Sequence, residues 1–286
     1  MRTKLYMLTE TSKFMMGFVI VTEKNNCIII DGGRPEDMPL LKKYVGGRHI
    51  SAWILTHPHS DHISGFIDEM KRNTCADFDI ERICFNFPDY NELISHAEAP
   101  DYEYLVNDSK EMLPEFESII PLFSDKIYIP KQGDILTVDE LDIEFLYTVH
   151  GYILANPMND SSLVFKVSSP NKSVLFLGDL GPDGGDTLYR ESRHKLKSDM
   201  VQMAHHGHMN VSMEVYAAIE PSACLWCCPD WLYAEEEVPV YLSDVEKLTR
   251  MRRIRMYGTA VTRKWMDQLG VKTHYVTKDG TLEIIL

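Results

Sequence analysis

The sequence lacks an apolar run long enough to cross a bilayer, which would need about 20 residues. Its first 25 residues, MRTKLYMLTETSKFMMGFVIVTEKN, are interrupted by Lys4, Glu10, Lys13 and Glu23. They also lack the charged start, apolar middle and small-residue cleavage site of a signal peptide. We therefore expect a protein without membrane contact that is located in the cytoplasm.

Basic residues are scarce relative to acidic ones. The chain has 29 Lys and Arg against 43 Asp and Glu, and its net charge is −14. A surface of that sign repels long polyanions, so a long nucleic acid is not an expected partner. The charge favours a small-molecule substrate.

Cysteine-based sites and domain linkers are also lacking. The chain has six cysteines, and two of them, Cys224 and Cys227, form a CxxC pair within the apolar stretch ACLWCC. That stretch predicts a buried strand with cysteines as small core residues rather than a zinc site or disulfides. No repeat and no segment rich in Pro, Gly or Ser divides the chain, which predicts a single domain over residues 1–286.

A dense cluster of metal-binding side chains occupies THPHSDHISG, residues 56–65, where His57, His59, Asp61 and His62 fall within six positions. Imidazole and carboxylate groups suit zinc and, less often, iron or manganese. Alternate side chains of an extended segment share a face, so His57 and His59 can reach one ion. Asp61 and His62 follow as the chain turns into a helix, where they can serve a second ion.

Two later strand ends carry similar residues. Asp179 follows the apolar run of VLFLGD, and His205 and His206 follow MVQMA. A carboxylate next to buried strands is costly unless it is paired or bound to a metal. Since open α/β sheets place their sites beyond the carboxyl ends of strands, these residues and the 57–62 cluster predict one site at one sheet edge.

Short apolar runs alternate with helical stretches over the whole chain, which indicates an α/β protein. The predicted strands lie within 14–22, 27–33, 50–56, 81–87, 126–151, 161–181, 198–208, 223–228 and 281–286. The predicted helices lie at 35–44, 63–72, 212–219, 241–251 and 261–269, and one or two more lie within 88–126. Two groups of aromatic and histidine side chains are candidate pocket walls: Phe87, Tyr90, His96, Tyr102 and Tyr104 in the first, and Trp226, Trp231 and Tyr233 in the second.

The motif His57-x-His59-x-Asp61-His62, the later Gly178-Asp179 and His205-His206-Gly207 together resemble the metallo-β-lactamase fold superfamily. The resemblance implies an α/β fold in which two mixed sheets form a four-layer αββα sandwich. Within the superfamily, the segments NDSSLVFKV, VLFLGD, HHG and VTKDGTLEI resemble the hydrolase domain of bacterial DNA-uptake channel proteins and its soluble relatives, which include phosphorylcholine esterases.

Carried over onto this sequence, the resemblance implies two divalent metal ions, with zinc preferred and manganese or iron as alternatives. His57 and His59 would bind the first ion, Asp61 and His62 the second, and Asp179 both. Either of the adjacent histidines can be a further ligand, and the resemblance assigns His206 to the second ion and leaves His205 to contact the substrate.

Most members of the superfamily carry a further histidine that completes the first metal site, and this sequence departs from them there. The corresponding region reads HGYILANPMNDSS, with Asn159 or Asp160 near that position and His150 nearby. The first ion would then have fewer protein ligands, or use Asp160 or a water molecule.

Two ions that share a water molecule lower its pKa from about 15.7 toward about 7, and the resulting metal-bound hydroxide attacks phosphorus or carbonyl carbon. Asp61 would orient this nucleophile, and His205 would donate a hydrogen bond to the developing oxyanion or the leaving group. We expect a metallo-hydrolase of phosphodiesterase type that acts on a small phosphodiester or phosphorylated substrate. The alternatives are a lactonase or thioesterase acting on carbonyl groups, and a metal-binding protein without catalysis.

Overall fold

The computed structural model describes residues 2–73, 77–89, 91, 103–149, 157–234 and 258–286. Two seven-stranded sheets form the middle of this part of the chain, with strand orders β14-β1-β2-β3-β4-β5-β6 and β13-β12-β11-β10-β9-β8-β7. The strands are β1 (Lys4–Met7), β2 (Gly17–Val21), β3 (Cys27–Asp31), β4 (Ile50–Ile54), β5 (Ile83–Cys84), β6 (Ile127–Tyr128), β7 (Ile135–Val138), β8 (Leu141–Tyr147), β9 (Val164–Ser168), β10 (Ser173–Phe176), β11 (Met200–Gln202), β12 (Ala223–Trp226), β13 (Thr273–Val276) and β14 (Leu282–Ile285).

Both sheets are mixed. In the first, β3, β4, β5 and β6 run parallel to one another, and β2, β1 and β14 pair antiparallel. In the second, β10, β11, β12 and β13 are parallel, and β9, β8 and β7 are antiparallel. Each sheet therefore has a parallel part whose strand ends share one edge.

Helices cover the outer face of each sheet. They are α1 (Met38–Val45), α2 (Ser60–Asn73), α3 (Glu103–Ile119), α4 (Pro182–Ser192), α5 (Met213–Ile219), α6 (Asp230–Tyr233) and α7 (Thr259–Gln268). Apolar side chains of α1, α2 and α3 join the core outside the first sheet, and those of α4, α5 and α7 join the core outside the second. The predicted four-layer αββα sandwich of two mixed sheets is confirmed.

Strand β3 shows why the sequence forms a buried sheet. All five of its residues are buried. Ile28 and Ile30 point into the core between the two sheets, and Cys27 and Ile29 point to the helices outside. Because side chains alternate between the two faces of a strand, a strand covered on both faces is a continuous apolar run.

Several element boundaries differ from the sequence-based predictions. Helix α2 begins at Ser60 rather than near residue 63, so Asp61 and His62 belong to its first turn. The polar side chains there hide the apolar period that signals a helix, while an acidic residue in the first turn suits the helix dipole. Strand β5 has only two residues, and β1, β13 and α4 were not predicted. The predicted helix at 241–251 lies outside the described residues.

Within the described ranges, no helix has both the length and the hydropathy required to cross a membrane. The cytoplasmic location and the single domain over residues 1–286 stay predictions.

Candidate metal centre

Three loops that leave parallel strands converge between the two sheets. The 57–62 segment follows β4, Asp179 follows β10, and His205 and His206 follow β11. The Leu163 amide donates to the carbonyl of Thr56 at 2.9 Å, and the His205 amide donates to the carbonyl of Gly178 at 3.0 Å. The first of these hydrogen bonds joins the two sheets, and the second joins the loops after β10 and β11 of the second sheet.

One group of potential ligands consists of His57, His59 and Asp179. The Nε2 atom of His57 lies 3.0 Å from Nδ1 of His59 and 3.7 Å from Oδ2 of Asp179. His57 and His59 thus share a face, as the extended spacing predicted.

A second group consists of Asp61, His62, Asp179 and His206, all of them buried. The Nε2 atom of His206 lies 3.0 Å from Oδ2 of Asp61 and 3.6 Å from Oδ2 of Asp179. The Nε2 atom of His62 lies 3.2 Å from the same Asp179 oxygen and makes no hydrogen bond. Of the two adjacent histidines, the structure places His206 in this group.

Asp179 belongs to both groups, and its carboxylate is the point where they meet. It is 1% exposed, and its Oδ1 atom is buried without a hydrogen-bond partner. A buried carboxylate oxygen without a donor is costly, because it has lost its water and gained no replacement. An ion between these groups would supply the missing partner.

The tautomers of two histidines are set by groups outside the cluster. Nδ1 of His206 lies 2.7 Å from the carbonyl oxygen of Cys227, and Nδ1 of His62 lies 2.7 Å from Oδ2 of Asp31. A carbonyl oxygen only accepts, and an ionised carboxylate likewise, so both Nδ1 atoms carry the proton. In the neutral form of each ring, which a bound cation would favour, the Nε2 atom then holds a lone pair that points into the cluster, as metal-binding histidines require.

Asp31 is a positioning residue that the sequence did not single out. Its Oδ1 atom accepts a hydrogen bond from the Thr56 amide at 2.7 Å, and its Oδ2 atom accepts from the Thr56 hydroxyl at 2.8 Å in addition to His62. The signal was available, since Asp31 ends the apolar run of β3 just as Asp179 follows that of β10. A carboxylate at such a place needs a partner.

Burial and charge shift the pKa values of these groups in opposite directions. Burial alone would lower the pKa of His62, but the carboxylates of Asp179 and Asp31 raise it well above its ordinary value. Burial would raise the pKa of Asp179, but His62 and His206 hold it well below its usual range. Burial lowers the pKa of His57 well below the ordinary value. Ionised carboxylates and a neutral imidazole are the forms that bind cations.

The turn that presents His205 and His206 has an unusual backbone. Their φ angles are 48° and 56°, and that of the following Gly207 is 97°. A Cβ atom at Gly207 would lie 2.4 Å from the ring of Trp226, so only glycine fits there. Backbone strain of this kind concentrates at functional sites.

His205 lies at the edge of the cluster beside Asn159. Its Nε2 atom is 3.8 Å from Oδ2 of Asp179, and its Nδ1 atom is 3.3 Å from the side-chain nitrogen of Asn159 and 3.4 Å from the carbonyl of Met209. Burial lowers the pKa of His205, so its ring is held neutral. A neutral ring with one proton can donate a single hydrogen bond to a ligand.

The sequence offered Asn159 and Asp160 as replacements for the missing histidine, and the structure separates their roles. The Asp160 carboxylate accepts from the Gly184 amide at 2.9 Å in the first turn of α4, which makes it a helix cap. It is not a member of either convergent group. The interpretation of Asp160 as a ligand of the first ion is therefore wrong, and Asn159 is the residue whose side chain faces the cluster. His150 lies outside the described residues.

The residues predicted to form pocket walls differ in their exposure. Trp226 is fully buried beneath Gly207, so its assignment to a pocket wall is wrong. Trp231 is 65% exposed and lies edge-on to Phe14, whose ring in turn lies 5.0 Å from that of His206. Phe87 packs on Phe116. Tyr90, His96 and Tyr102, and the side chain of Tyr104, lie outside the described residues.

The donor set fits two divalent cations. At Zn–N distances of about 2.0–2.1 Å and tetrahedral angles, two ligand nitrogens lie about 3.3 Å apart, close to the 3.0 Å between His57 and His59. The ligand atoms of each group lie within 4.8 Å of one another. Together with the unpartnered Asp179 oxygen, this arrangement identifies two adjoining metal-binding clusters.

A model of the metallo-beta-lactamase superfamily matches residues 17–221. The search of curated proteins gives no match. Among solved structures, the fold is similar to the metallo-beta-lactamase fold protein YhfI from Bacillus subtilis, with 11% identity, a TM-score of 0.55 and 99% of each chain covered. It is also similar to CmlA, a diiron beta-hydroxylase from Streptomyces venezuelae, with 11% identity and a TM-score of 0.54. That match covers all of this chain and 54% of CmlA. At this identity the similarity concerns the fold.

Proposed function

Because this chain belongs to the metallo-β-lactamase superfamily and carries two adjoining His/Asp clusters, we propose that it is a dinuclear metallo-hydrolase that cleaves a small phosphodiester or phosphorylated substrate. The observation that carries the proposal is the Asp179 carboxylate, which belongs to both clusters. A shared carboxylate is the feature expected of a site that holds two cations side by side.

In this proposal His57, His59 and Asp179 hold the first cation, and Asp61, His62, Asp179 and His206 hold the second. Zinc is the preferred ion, since imidazole and carboxylate ligands suit it, and iron and manganese are the alternatives. Cations held there would supply Lewis acidity, which lowers the pKa of a bound water molecule and offsets negative charge that develops on the substrate.

Asp61 and His205 are the proposed catalytic residues. Asp61 is ionised, because His62 and His206 lower its pKa against the effect of burial. Its carboxylate can accept a hydrogen bond from the attacking water and orient it toward the substrate. His205, neutral and at the edge of the cluster, can donate a hydrogen bond to the oxyanion or to the leaving group.

Charge favours a small phosphorylated substrate over a long nucleic acid. Two dications carry +4 and the carboxylates of Asp61 and Asp179 carry −2, so the loaded site has a surplus of +2. The chain as a whole carries −14 and repels a long polyanion. The resemblance of several segments to the hydrolase domain of DNA-uptake channel proteins also supports phosphodiester chemistry.

A substrate panel tests the proposal. The protein is stripped with a chelator, reloaded separately with Zn²⁺, Mn²⁺ or Fe²⁺, and assayed with bis-p-nitrophenyl phosphate, p-nitrophenyl phosphate, a homoserine lactone and a thioester. The variant Asp179→Asn should lose turnover and metal together. Asp142→Asn, which changes an exposed carboxylate of β8 far from the clusters, should keep both.

The panel also separates the alternatives. Turnover of the lactone or thioester without turnover of either phosphate ester would replace the phosphodiesterase by a carbonyl hydrolase on the same residues. Two bound cations without turnover of any compound would favour the metal-binding protein without catalysis.

A further inference from the structure

Arg34 brings a positive charge next to the metal clusters. It follows β3 and the two glycines of IIIDGG, and its Nη1 atom donates to the hydroxyl of Ser60 at 3.1 Å. Ser60 lies between the ligands His59 and Asp61 in the chain. The guanidinium is therefore held beside the 57–62 segment by one of that segment's own residues.

This guanidinium has no counter-charge among the residues that the structure describes. Asp37, three residues further along the chain, uses its Oδ1 atom to accept from the amide and hydroxyl of Thr11, and its Oδ2 atom to accept from the backbone amide of Arg34. The Nε atom of Arg34 is buried without a hydrogen-bond partner. A buried guanidinium nitrogen without an acceptor is costly, and an anion would satisfy it.

Two aromatic rings continue the same surface. The Arg34 guanidinium lies 6.0 Å from the ring centre of Phe14. Phe14 contacts His206 on one side, with 5.0 Å between ring centres, and Trp231 on the other at 6.3 Å. Trp231 is 65% exposed, although its ring is among the largest apolar side chains in the protein. We call Arg34, Phe14 and Trp231 the rim of the site.

We propose that the rim binds the substrate, with Arg34 holding an anionic oxygen of the phosphate and Trp231 packing against a flat apolar ester group. This inference rests on the proposed phosphodiester substrate. A planar guanidinium suits phosphate oxygens, since it offers several N–H donors in one plane. An exposed tryptophan ring provides a stacking surface for a flat group.

Replacement of Arg34 distinguishes a purely structural role of this residue from a role in substrate binding. If Arg34 only packed on Phe14 and Ser60, its replacement would change stability without regard to the ligand. If it binds an anion, its replacement weakens every phosphonate ligand by a similar factor. Trp231, in contrast, would affect only ligands with a flat group.

The experiment measures binding of phenylphosphonate and methylphosphonate to the metal-loaded protein by isothermal titration calorimetry. Hydrogen bonds to charged groups contribute about 1.5–3 kcal/mol, so Arg34→Gln should weaken both ligands about 10- to 100-fold. Arg34→Lys, which keeps the charge but loses the planar donors, should give an intermediate loss. Trp231→Ala should leave methylphosphonate binding unchanged and reduce the preference for phenylphosphonate about two- to tenfold.

Matched controls are available on the same chain. Arg72→Gln changes an arginine that is 69% exposed and paired within α2, and Leu122→Ala changes a side chain with the same 65% exposure as Trp231. Both should bind the two phosphonates like the wild type. Thermal unfolding of each metal-free variant checks that the fold is kept.

The rim and the proposed reaction can fail separately. The binding role of the rim would be refuted if Arg34→Gln and the wild type bound both phosphonates with equal affinity, or if the wild type bound neither. Either result would hold even if the protein hydrolyses phosphodiesters. Conversely, the expected pattern of affinities in a protein that hydrolyses no phosphate ester would support the rim and overturn the proposed reaction.

Discussion

Replacing Asp31 by Asn tests whether the cluster depends on the residue that orients His62. The Asp31 carboxylate accepts three hydrogen bonds, from the Thr56 amide at 2.7 Å, the Thr56 hydroxyl at 2.8 Å and His62 Nδ1 at 2.7 Å. An amide has one acceptor oxygen and one donor nitrogen, so it cannot accept all three.

Either orientation of the introduced amide harms the site. If its nitrogen faces the Thr56 amide, two buried donors oppose each other, at a cost of about 1–3 kcal/mol. If it faces His62, the imidazole must move its proton to Nε2, which removes the lone pair that points to Asp179. Loss of such an orienting partner lowers metal affinity about 10- to 100-fold, or by about 1.4–2.7 kcal/mol.

The assay is competition for Zn²⁺ against a chromophoric chelator, with ¹⁵N spectra of the histidine rings to report the tautomer of His62. Asp139→Asn is the matched control, because Asp139 shares the φ angle of 53° with Asp31 and also accepts from a threonine hydroxyl, at 2.6 Å. Its partners Thr22, Asn26 and Lys24 lie outside both metal clusters, whereas Asp31 contacts His62. If Asp31→Asn binds Zn²⁺ as tightly as the wild type and keeps the tautomer of His62, Asp31 does not orient this ligand.

Three further predictions concern the metal, the turn and the helix cap. His206→Ala should lower the bound metal from two equivalents to one, as measured by mass spectrometry after desalting, and retention of two would exclude His206 as a ligand. Gly207→Ala should lower the free energy of unfolding by about 2–4 kcal/mol, since a Cβ there would lie 2.4 Å from Trp226 at a φ of 97°. Gly270→Ala, at a φ of 78° with open space around it, should cost about 1 kcal/mol, and equal losses would refute the packing explanation. Burial raises the pKa of Asp160 to about 7, so the folded protein holds a proton that the unfolded chain releases near pH 4. The melting temperature of the wild type should therefore fall relative to that of Asp160→Asn as the pH rises from about 4 to about 7. A constant difference between the two melting temperatures across this range would contradict the raised pKa of Asp160.

The fold was largely predictable because apolar runs follow the period of strands. The strands β2, β3, β4 and β12 lie within predicted runs, since each is buried on both faces and so contains little else than apolar residues. The helix α4 was not predicted, because Gly184 and Gly185 weaken its helical signal. It forms nonetheless, and the Asp160 carboxylate caps its first turn from a distant part of the chain.

The residues that converge at the site were also accessible from local pattern, but their roles as ligands and catalysts stay predictions. Phe14 and Arg34 were missed because nothing near them in the chain marks them as part of a site. Phe14 is apolar within an apolar run, and Arg34 resembles any surface arginine until its missing counter-charge is seen.

The sequence alone determined which chemistry is available: a dense set of imidazole and carboxylate groups on strand-end loops, in the order of one superfamily. Local residue identity and spacing suffice for that, since they set the ligand types and the faces of each strand. Only the tertiary structure decided that Asp179 belongs to both clusters, that His206 rather than His205 joins the second, and that Asp160 caps a helix. These assignments depend on contacts between residues far apart in the chain, such as the hydrogen bond from His206 to the carbonyl of Cys227, which no local pattern encodes.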